Sequence, residues 1–316
     1  MAELSIVVPV YNEEENIRPL YTALKPVLED TGKTYEIIFV DDGSTDNTPR
    51  ELERIARLDP GIAVLSLRRN FGQTAAFAAG FDYAGGDVII TMDGDMQNDP
   101  RDIPKLLEEM ETSDLVSGWR KDRKDNLITR RLPSMAANWL IGKVTGVRLH
   151  DYGCSLKAYR KEVVKNMRLY GEMHRFMPAV ASWYGVRVSE VETVHHPRTK
   201  GKSKYGLSRT FKVLLDLITV KFLQSFSTKP IQAFGPLGLF SALAGFLISL
   251  YLTVEKIFFG VSIGGRPLLL LGVLLIIVGV QLIGMGLLGE MLVRVYHESQ
   301  KKPIYALKKI IGPEKK

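Results

Sequence analysis

Residues 88–97 read Val-Ile-Ile-Thr-Met-Asp-Gly-Asp-Met-Gln, an apolar run with strand character that ends in two carboxylates one residue apart. Strands buried on both faces of a parallel sheet are continuous β-branched runs, and open α/β sheets bind ligands beyond the carboxyl ends of their strands. The glycine between Asp93 and Asp95 permits a sharp turn and a close approach of a ligand. Oxygen ligands in this arrangement suit Mg²⁺ or Mn²⁺, usually shared with substrate phosphates. A solvated turn after a strand is the competing interpretation, and the rest of the chain disfavours it.

The N-terminal half alternates strand-like and helix-like segments, which predicts an α/β fold with a doubly wound sheet. The predicted strands cover residues 5–10, 35–40, 63–67, 88–92 and 115–117. The predicted helices cover residues 16–29, 48–58, 74–83 and 103–110. No glycine-rich phosphate loop follows any of these strands. A nucleotide bound here must therefore be held by carboxylates, a metal and loop residues.

Charge is distributed unevenly along the 316 residues, whose net formal charge is +7. Residues 1–196 carry 25 Lys and Arg against 30 Asp and Glu, whereas residues 197–316 carry 17 against 5. The basic character thus belongs to the part of the chain that also holds the long hydrophobic runs. We therefore expect a membrane partner and no nucleic acid.

Two runs, 230–254 and 267–289, contain no charged residue. Each is long enough to cross a hydrocarbon core of about 30 Å, so we predict two transmembrane helices, at about 231–254 and 267–289, that form a hairpin. A core helix of a soluble domain is the alternative for either run, but such helices seldom stay uncharged for so long. The tail beyond the second run is far more basic than the loop 255–266, which predicts an inner-membrane protein with both termini in the cytoplasm.

The start of the sequence and its cysteine content agree with a cytoplasmic location of the N-terminal half. The N-terminus enters a strand directly, without the features of a signal peptide, and the single cysteine, Cys154, fits a reducing compartment. The segment 205–229 reads as an amphipathic interfacial helix, with cations on its polar face for anionic headgroups. Packing of this segment against the globular domain is the other interpretation. Its apolar positions are Leu207, Phe211, Leu214, Leu215, Ile218, Phe222 and Phe226.

Four short motifs follow the first four predicted strands in order. They are Pro9-Val10-Tyr11-Asn12-Glu13, Asp41-Asp42-Gly43-Ser44-Thr45-Asp46, Arg69-Asn70-Phe71-Gly72 and Asp93-Gly94-Asp95-Met96-Gln97. Each motif alone is common, but four in order at strand ends resemble the family 2 inverting glycosyltransferases of GT-A fold. The resemblance implies a GT-A-like mixed sheet and a metal-dependent sugar transfer from a nucleotide diphosphate sugar.

Later motifs look like those of dolichyl- and polyprenyl-phosphate sugar synthases. They are Gly118-Trp119-Arg120, Arg130 with Ser134, Asp151-Tyr152-Gly153-Cys154-Ser155, and the basic stretch 198–204. The hydrophobic hairpin adds a likeness to bacterial undecaprenyl-phosphate glucosyl- and aminoarabinosyl-transferases. Together these resemblances imply a cytoplasmic catalytic domain at 1–204, the interfacial helix at 205–229, the hairpin at 230–290 and a basic cytoplasmic tail at 291–316.

The resemblance also implies roles for individual residues on the donor side. The predicted metal ligands are Asp95 and Gln97, and Asp93 could reach the metal or the donor. The predicted nucleotide-sugar site comprises Pro9, Tyr11, Glu13, Asp41, Asp42, Asn70, Gly72 and Asp93. An aromatic ring can pack on a base or ribose there, and Asp42, or Asp41 in its place, can accept from a ring N–H or a hydroxyl. Structural roles compete for two neighbours: Asp46 can cap the next helix and Gly43 can serve only the turn.

The acceptor side needs cations rather than a base. A lipid phosphate is mostly a dianion at neutral pH, because its second pKa is about 6, and it is already nucleophilic. A cationic cradle that aligns this phosphate is expected from Arg120, Arg130, Ser134, Arg198 and Lys204, with a solvated surface role as the alternative for each cation. Asp151 either orients the sugar or orders the basic residues. His174, His195, His196 and buried Cys154 are expected to be structural or to support the site indirectly.

The predicted function is inverting transfer of a sugar, UDP-glucose being the favoured donor, to a polyprenyl phosphate on the cytoplasmic leaflet. The alternatives are a GDP-mannose-dependent mannosyltransferase of the same type and, in a different class, a non-catalytic nucleotide-sugar-binding subunit of a glycolipid flippase. A processive polysaccharide synthase is disfavoured because its Gln-x-x-Arg-Trp signature is absent. Glycines at 279, 284, 286 and 289 in the second hydrophobic run predict a homo-oligomer through helix packing.

Overall fold

The computed structural model of the protein describes residues 2–121, 132–167, 169, 173–197, 230–299 and 303–312. The strands are β1 (Leu4–Val10), β2 (Tyr35–Asp41), β3 (Ile62–Leu67), β4 (Val88–Thr91), β5 (Leu115–Trp119), β6 (Lys157–Arg160), β7 (Val188–Glu192) and β8 (Leu307–Ile311). The helices are α1 (Ile17–Asp30), α2 (Thr48–Leu58), α3 (Gln73–Tyr83), α4 (Ile103–Glu109), α5 (Leu132–Thr145), α6 (Lys161–Asn166), α7 (Met177–Ser182), α8 (Ile231–Phe259) and α9 (Pro267–Ser299). The predicted strands and helices of the N-terminal half are confirmed, each to within two residues at either end.

The described strands form one mixed sheet in the order β7-β5-β6-β4-β1-β2-β3-β8. Parallel pairing joins β4, β1, β2 and β3, and their buried β-branched runs make this the centre of the sheet. Antiparallel pairing places β6 between β4 and β5. Helix α1 turns its buried face of Ile17, Leu20, Leu24 and Leu28 into the core. The predicted α/β class with a doubly wound mixed sheet is therefore confirmed.

Three strands were not predicted from the sequence, for a shared physical reason. Strand β6 has the sequence Lys-Ala-Tyr-Arg, and β7 alternates partly buried apolar and polar residues at the sheet edge. Strand β8 lies within the segment expected to be a basic tail. Its exposed Lys309 pairs with Glu53 at 2.8 Å while its backbone pairs with β3. A search for continuous apolar runs misses all three strands. Strands β7 and β8 lie at the sheet edges, where polar and charged residues are typical, and β6, although interior, begins and ends with a basic residue.

The chain divides into two compact units, residues 1–221 with 303–316 and residues 222–302. The second unit contains α8 and α9, which are long and apolar enough to cross a membrane. Both helices continue past the predicted ends at 254 and 289. The prediction stopped at the first charged residue, whereas the helical backbone extends into the flanking segments that contain charges. The predicted interfacial helix at 205–229 lies outside the described residues.

Small residues let α8 and α9 pack closely against each other. A Cβ at Gly238 would lie 2.6 Å from the Gly279 carbonyl, and one at Gly245 would lie 2.4 Å from the Gly272 carbonyl. Two more of the glycines expected to serve oligomerisation also face neighbours within this unit, Gly286 against Ile231 and Gly289 against Pro230. Gly284 alone of that group meets nothing within 4 Å in the described part of the chain. The predicted homo-oligomer thus stays a prediction, with Gly284 as its remaining surface position.

A turn at the carboxyl edge of the sheet depends on a glycine. Gly43, directly after β2 and Asp42, has a φ of +73°, and a Cβ there would lie 2.4 Å from the Arg69 carbonyl carbon. Both the backbone conformation and the contact exclude a side chain. Gly32 supplies a control, since its φ is +67° but nothing lies within 4 Å of a Cβ built there.

Gly43→Ala is therefore expected to destabilise the protein more than Gly32→Ala. The control should lose about 1–2 kcal/mol for the left-handed conformation alone. The Gly43 variant should lose clearly more, because the clash is with backbone that cannot rotate away. Chemical unfolding of both variants in detergent measures the difference, and equal losses would contradict the close contact between the two loops.

Candidate active site

The loops after four parallel strands meet at one edge of the sheet. The register pairs Val10 with Asp41, Asp41 with Ser66, and Val7 with Thr91, so the carboxyl ends of β1 to β4 lie side by side. The four sequence motifs all begin at this edge. The structure therefore brings together the residues that the sequence analysis assigned to the donor.

Hydrogen bonds join the loop after β1 to the loop after β2. Asn12, with a φ of +54°, donates its backbone N–H to the Ser44 hydroxyl at 2.9 Å and accepts from the Thr45 N–H at 2.8 Å. The Glu13 carboxylate accepts from the Asn16 amide at 2.6 Å. Pro9 and Tyr11 are half-buried beside them. The proposed base and ribose contacts of Pro9, Tyr11 and Glu13 remain predictions.

The two aspartates after β2 organise neighbouring backbone. The Asp42 carboxylate accepts from the N–H groups of Phe71 at 2.7 Å and Gly72 at 2.9 Å. Burial raises the pKa of the Asp42 carboxyl, and these two donors oppose the rise. Asp41 accepts from the Ser44 N–H at 2.9 Å. Asp42 thus holds the third loop against the second.

Three further residues of these loops were also considered from the sequence. Asp46 accepts from the Thr48 N–H at 3.0 Å and from the Glu14 N–H at 3.3 Å, but Asn47 occupies the cap position of α2 and makes no side-chain capping bond. Asn70, which was assigned to the nucleotide-sugar site, is exposed, and the adjacent Gly72 is half-buried.

The acidic pair after β4 lies at the centre of the edge. Asp93 accepts from the Gln73 amide at 2.7 Å and bonds with the Ser155 hydroxyl. Buried Asp95 accepts from the Gln97 N–H at 3.2 Å. Burial raises the pKa of Asp93 and the charge of Asp95 raises it further, while Ser155 opposes the rise. The two carboxylates therefore repel each other in a poorly solvated place.

The turn that carries this pair is held tightly. A Cβ on Gly94 would lie 2.6 Å from a Val10 methyl, and Met96 adopts a φ of +62°. The oxygen donors of Asp93, Asp95 and Gln97 fit a hard divalent cation, which would relieve the repulsion between the carboxylates. Among the described residues no group of three or more His, Cys, Asp or Glu side chains could hold a metal, so other ligands would have to complete its coordination.

A buried ion pair stands next to the acids. Arg120, just beyond β5, donates its Nε to one Asp151 oxygen at 2.6 Å and its Nη2 to the other at 2.9 Å. The side chains are 14% and 4% exposed. Of the two roles considered for Asp151, the geometry matches the ordering of a basic residue.

The segment 151–155 connects this ion pair to the acidic pair. The Ser155 hydroxyl accepts from the Asn98 amide at 2.7 Å, and its carbonyl accepts from the Thr91 hydroxyl at 2.7 Å. The supporting residues Gln73, Asn98 and Ser155 were not selected from the sequence. Gln73 and Ser155 adjoin or end recognised motifs, which is the signal that could have identified them.

The remaining predicted residues either have no described side chain or contact residues other than the acidic pair. Arg130, Arg198 and Lys204 lie outside the described residues, and Ser134 lies in α5 without a described side chain. Nδ1 of His174 bonds with the Thr74 hydroxyl at 2.9 Å, and Nε2 of His196 bonds with Asp99 at 2.9 Å. Cys154 is buried, which raises the pKa of its thiol.

Comparisons with known proteins agree with this geometry. The family model "Glycosyl transferase family 2" matches residues 5–168. A dodecaprenyl-phosphate galacturonate synthase from Rhizobium johnstonii is 46% identical over 99% of this chain and 94% of its own length. An undecaprenyl-phosphate 4-deoxy-4-formamido-L-arabinose transferase from Yersinia pestis is 39% identical over 99% and 94%. The corresponding transferase from Pseudomonas paraeruginosa is 38% identical over 98% and 90%.

Solved structures support the fold. Glucosyl-3-phosphoglycerate synthase from Mycobacterium tuberculosis, crystallised with Mn²⁺, UDP and glucosyl-3-phosphoglycerate, superposes with a TM-score of 0.54 at 18% identity. The superposition covers 71% of this chain and 80% of that one. The sheet is thus GT-A-like. The chain belongs to glycosyl transferase family 2 and, within it, to the polyprenyl-phosphate glycosyltransferases.

Proposed function

We propose that this glycosyltransferase moves a sugar from a nucleotide diphosphate sugar to a polyprenyl phosphate with inversion at C1, on the cytoplasmic leaflet. The observation that carries the proposal is the acidic pair, Asp93 and Asp95, held at the sheet edge beside the Arg120–Asp151 ion pair. In the reaction a lipid phosphate oxygen forms the new bond to C1, and the bond from C1 to the nucleotide diphosphate breaks.

A divalent cation, Mg²⁺ or Mn²⁺, held by Asp95 and Gln97 with Asp93 in reach, would neutralise the diphosphate leaving group. Neighbouring side chains hold the proposed metal ligand Asp93 in place. The Gln73 amide fixes one Asp93 oxygen, and the Ser155 hydroxyl supports the same carboxylate. Asp42 holds the loop after β3 in place through the N–H groups of Phe71 and Gly72, on the side proposed for the nucleotide.

The acceptor phosphate is proposed to meet Arg120, Arg130, Ser134, Arg198 and Lys204. Arg120 already neutralises Asp151, so it contributes an oriented guanidinium and little net charge. The remaining cations must then supply most of the charge that attracts a dianion. The proposed reaction requires no general base, because the lipid phosphate is already ionised at neutral pH.

The donor is proposed to be a nucleotide-activated galacturonate. The relative that is 46% identical over 99% of the chain is named for that sugar, whereas the other relatives are named for a formamido-arabinose. UDP-glucose, the donor favoured from the sequence, belongs in the same test, as does GDP-mannose.

The proposal is tested by incorporating the purified protein into liposomes with polyprenyl phosphate and one labelled donor at a time. Mass spectrometry should identify a polyprenyl-phosphate sugar with UDP-galacturonate, and chelation with EDTA should abolish it. Asp95→Ala should lose transfer by at least a hundredfold while keeping a wild-type melting curve. A product only with UDP-glucose or GDP-mannose would correct the donor, and full turnover by the Asp95 variant would remove the metal-assisted mechanism.

Both flanks of the hairpin are proposed to face the cytoplasm. Strand β8 follows α9 in the chain yet pairs with β3 in the N-terminal sheet, which supports an even number of membrane crossings. The loop between α8 and α9 would then face the opposite side.

Cysteine labelling tests this orientation with little background, because the native Cys154 is buried. In intact spheroplasts a membrane-impermeant maleimide should label Ser262→Cys, in the loop between the helices. Lys308→Cys, at an exposed position of β8, should react only after the membrane is opened. Labelling of both positions from the same side would refute the hairpin.

A further inference from the structure

Lys157 is a buried cation that the proposed reaction does not use. It opens β6 and pairs in register with Thr91 of β4 and Ser117 of β5, so it lies in the interior of the sheet. The residue is 1% exposed. Burial lowers the pKa of its ammonium, because water no longer solvates the charge. A lysine is rarely retained in such a place unless its charge and donors are used.

The ammonium contacts the backbone of a single loop. Lys157 Nζ donates to the Tyr152 carbonyl at 3.3 Å and to the Cys154 carbonyl. These two carbonyls flank Gly153, whose N–H donates to Asp151 at 3.0 Å. The middle of the loop is thus fixed from beneath by one side chain.

The two ends of the same loop serve the two halves of the site. At one end Asp151 holds Arg120 with two hydrogen bonds, on the side proposed for the acceptor phosphate. At the other end Ser155 bonds with Asp93, on the side of the donor and metal. A shift of the loop would therefore displace an acid and a guanidinium together.

We propose that Lys157 is a positioning residue for sugar transfer, which sets the segment 151–155 so that Arg120 and Asp93 face the substrates in the correct arrangement. The proposal deepens the function proposed above and rests on it. Lys157 does not touch the substrates. It acts through the Tyr152 and Cys154 carbonyls, and its positive charge also offsets part of the negative charge of Asp93 and Asp151.

The test compares Lys157→Met with Lys161→Met. Lys161 is a matched control, since it also donates to a backbone carbonyl, that of Gly85 at 2.6 Å, but at the start of α6. Amide hydrogen exchange of the segment 151–155 should accelerate at least tenfold in the first variant and stay unchanged in the second. In the liposome assay Lys157→Met should lower kcat at least tenfold and raise the acceptor KM, whereas Lys161→Met should stay within twofold of wild type.

Lys157→Gln is an intermediate variant, because its side-chain amide can still donate to a backbone carbonyl but carries no charge. Its kcat should lie between those of wild type and Lys157→Met, and it decides the test if the Met variant does not fold. Wild-type kcat in a folded variant, or unchanged exchange at 151–155, overturns the proposal. A wild-type protein that makes no lipid-linked sugar would refute the proposed function. The exchange measurement needs no turnover, so it would still show whether Lys157 holds the segment 151–155.

Discussion

The repulsion between Asp93 and Asp95 is the constraint on which the rest of the site depends. At this buried sheet edge, burial raises the pKa of the Asp93 carboxyl, and the charge of nearby Asp95 raises it further. The fold surrounds them with compensating groups: the Gln73 amide, the Ser155 hydroxyl, and the nearby charges of Arg120 and Lys157. A divalent cation shared with a diphosphate would complete this compensation.

The compensating groups also connect the two sides of the site that are proposed for the donor and the acceptor. The loops after β1 to β4 form the side proposed for the donor. Arg120 directly follows β5, and the segment before β6 supplies Asp151 and Ser155. Because antiparallel β6 lies between β4 and β5, the loop that precedes it arrives at the same edge. The mixed topology of the sheet is therefore what allows one short loop to contact both an acid and a guanidinium.

Local sequence patterns predicted much of the fold but only part of the candidate site. The apolar runs of β1 to β5 predicted the central strands, because burial on both faces demands such residues. Strands β6, β7 and β8 escaped prediction because none of them is a continuous apolar run. Strands β7 and β8 lie at the sheet edges, and the interior strand β6 begins with Lys157 and ends with Arg160. Arg120 and Asp151 were each selected by motif, but their ion pair joins residues 31 positions apart and could be seen only in the folded chain. Lys157 gave no signal at all, because a lysine within a short polar strand looks like a surface residue until its neighbours are known.

Binding of Mn²⁺ in the presence and absence of UDP, followed by electron paramagnetic resonance, tests the central claim most directly. The predicted metal ligands are two carboxylates and one amide, and no larger group of potential ligands is found among the described residues, so diphosphate oxygens should be needed to complete a stable coordination sphere. The account predicts that wild-type protein binds Mn²⁺ at least tenfold more tightly with UDP than without it, and that Asp95→Asn, folded as judged by its melting curve, loses this gain. Mn²⁺ affinity that is the same in both proteins, or indifferent to UDP, would contradict it.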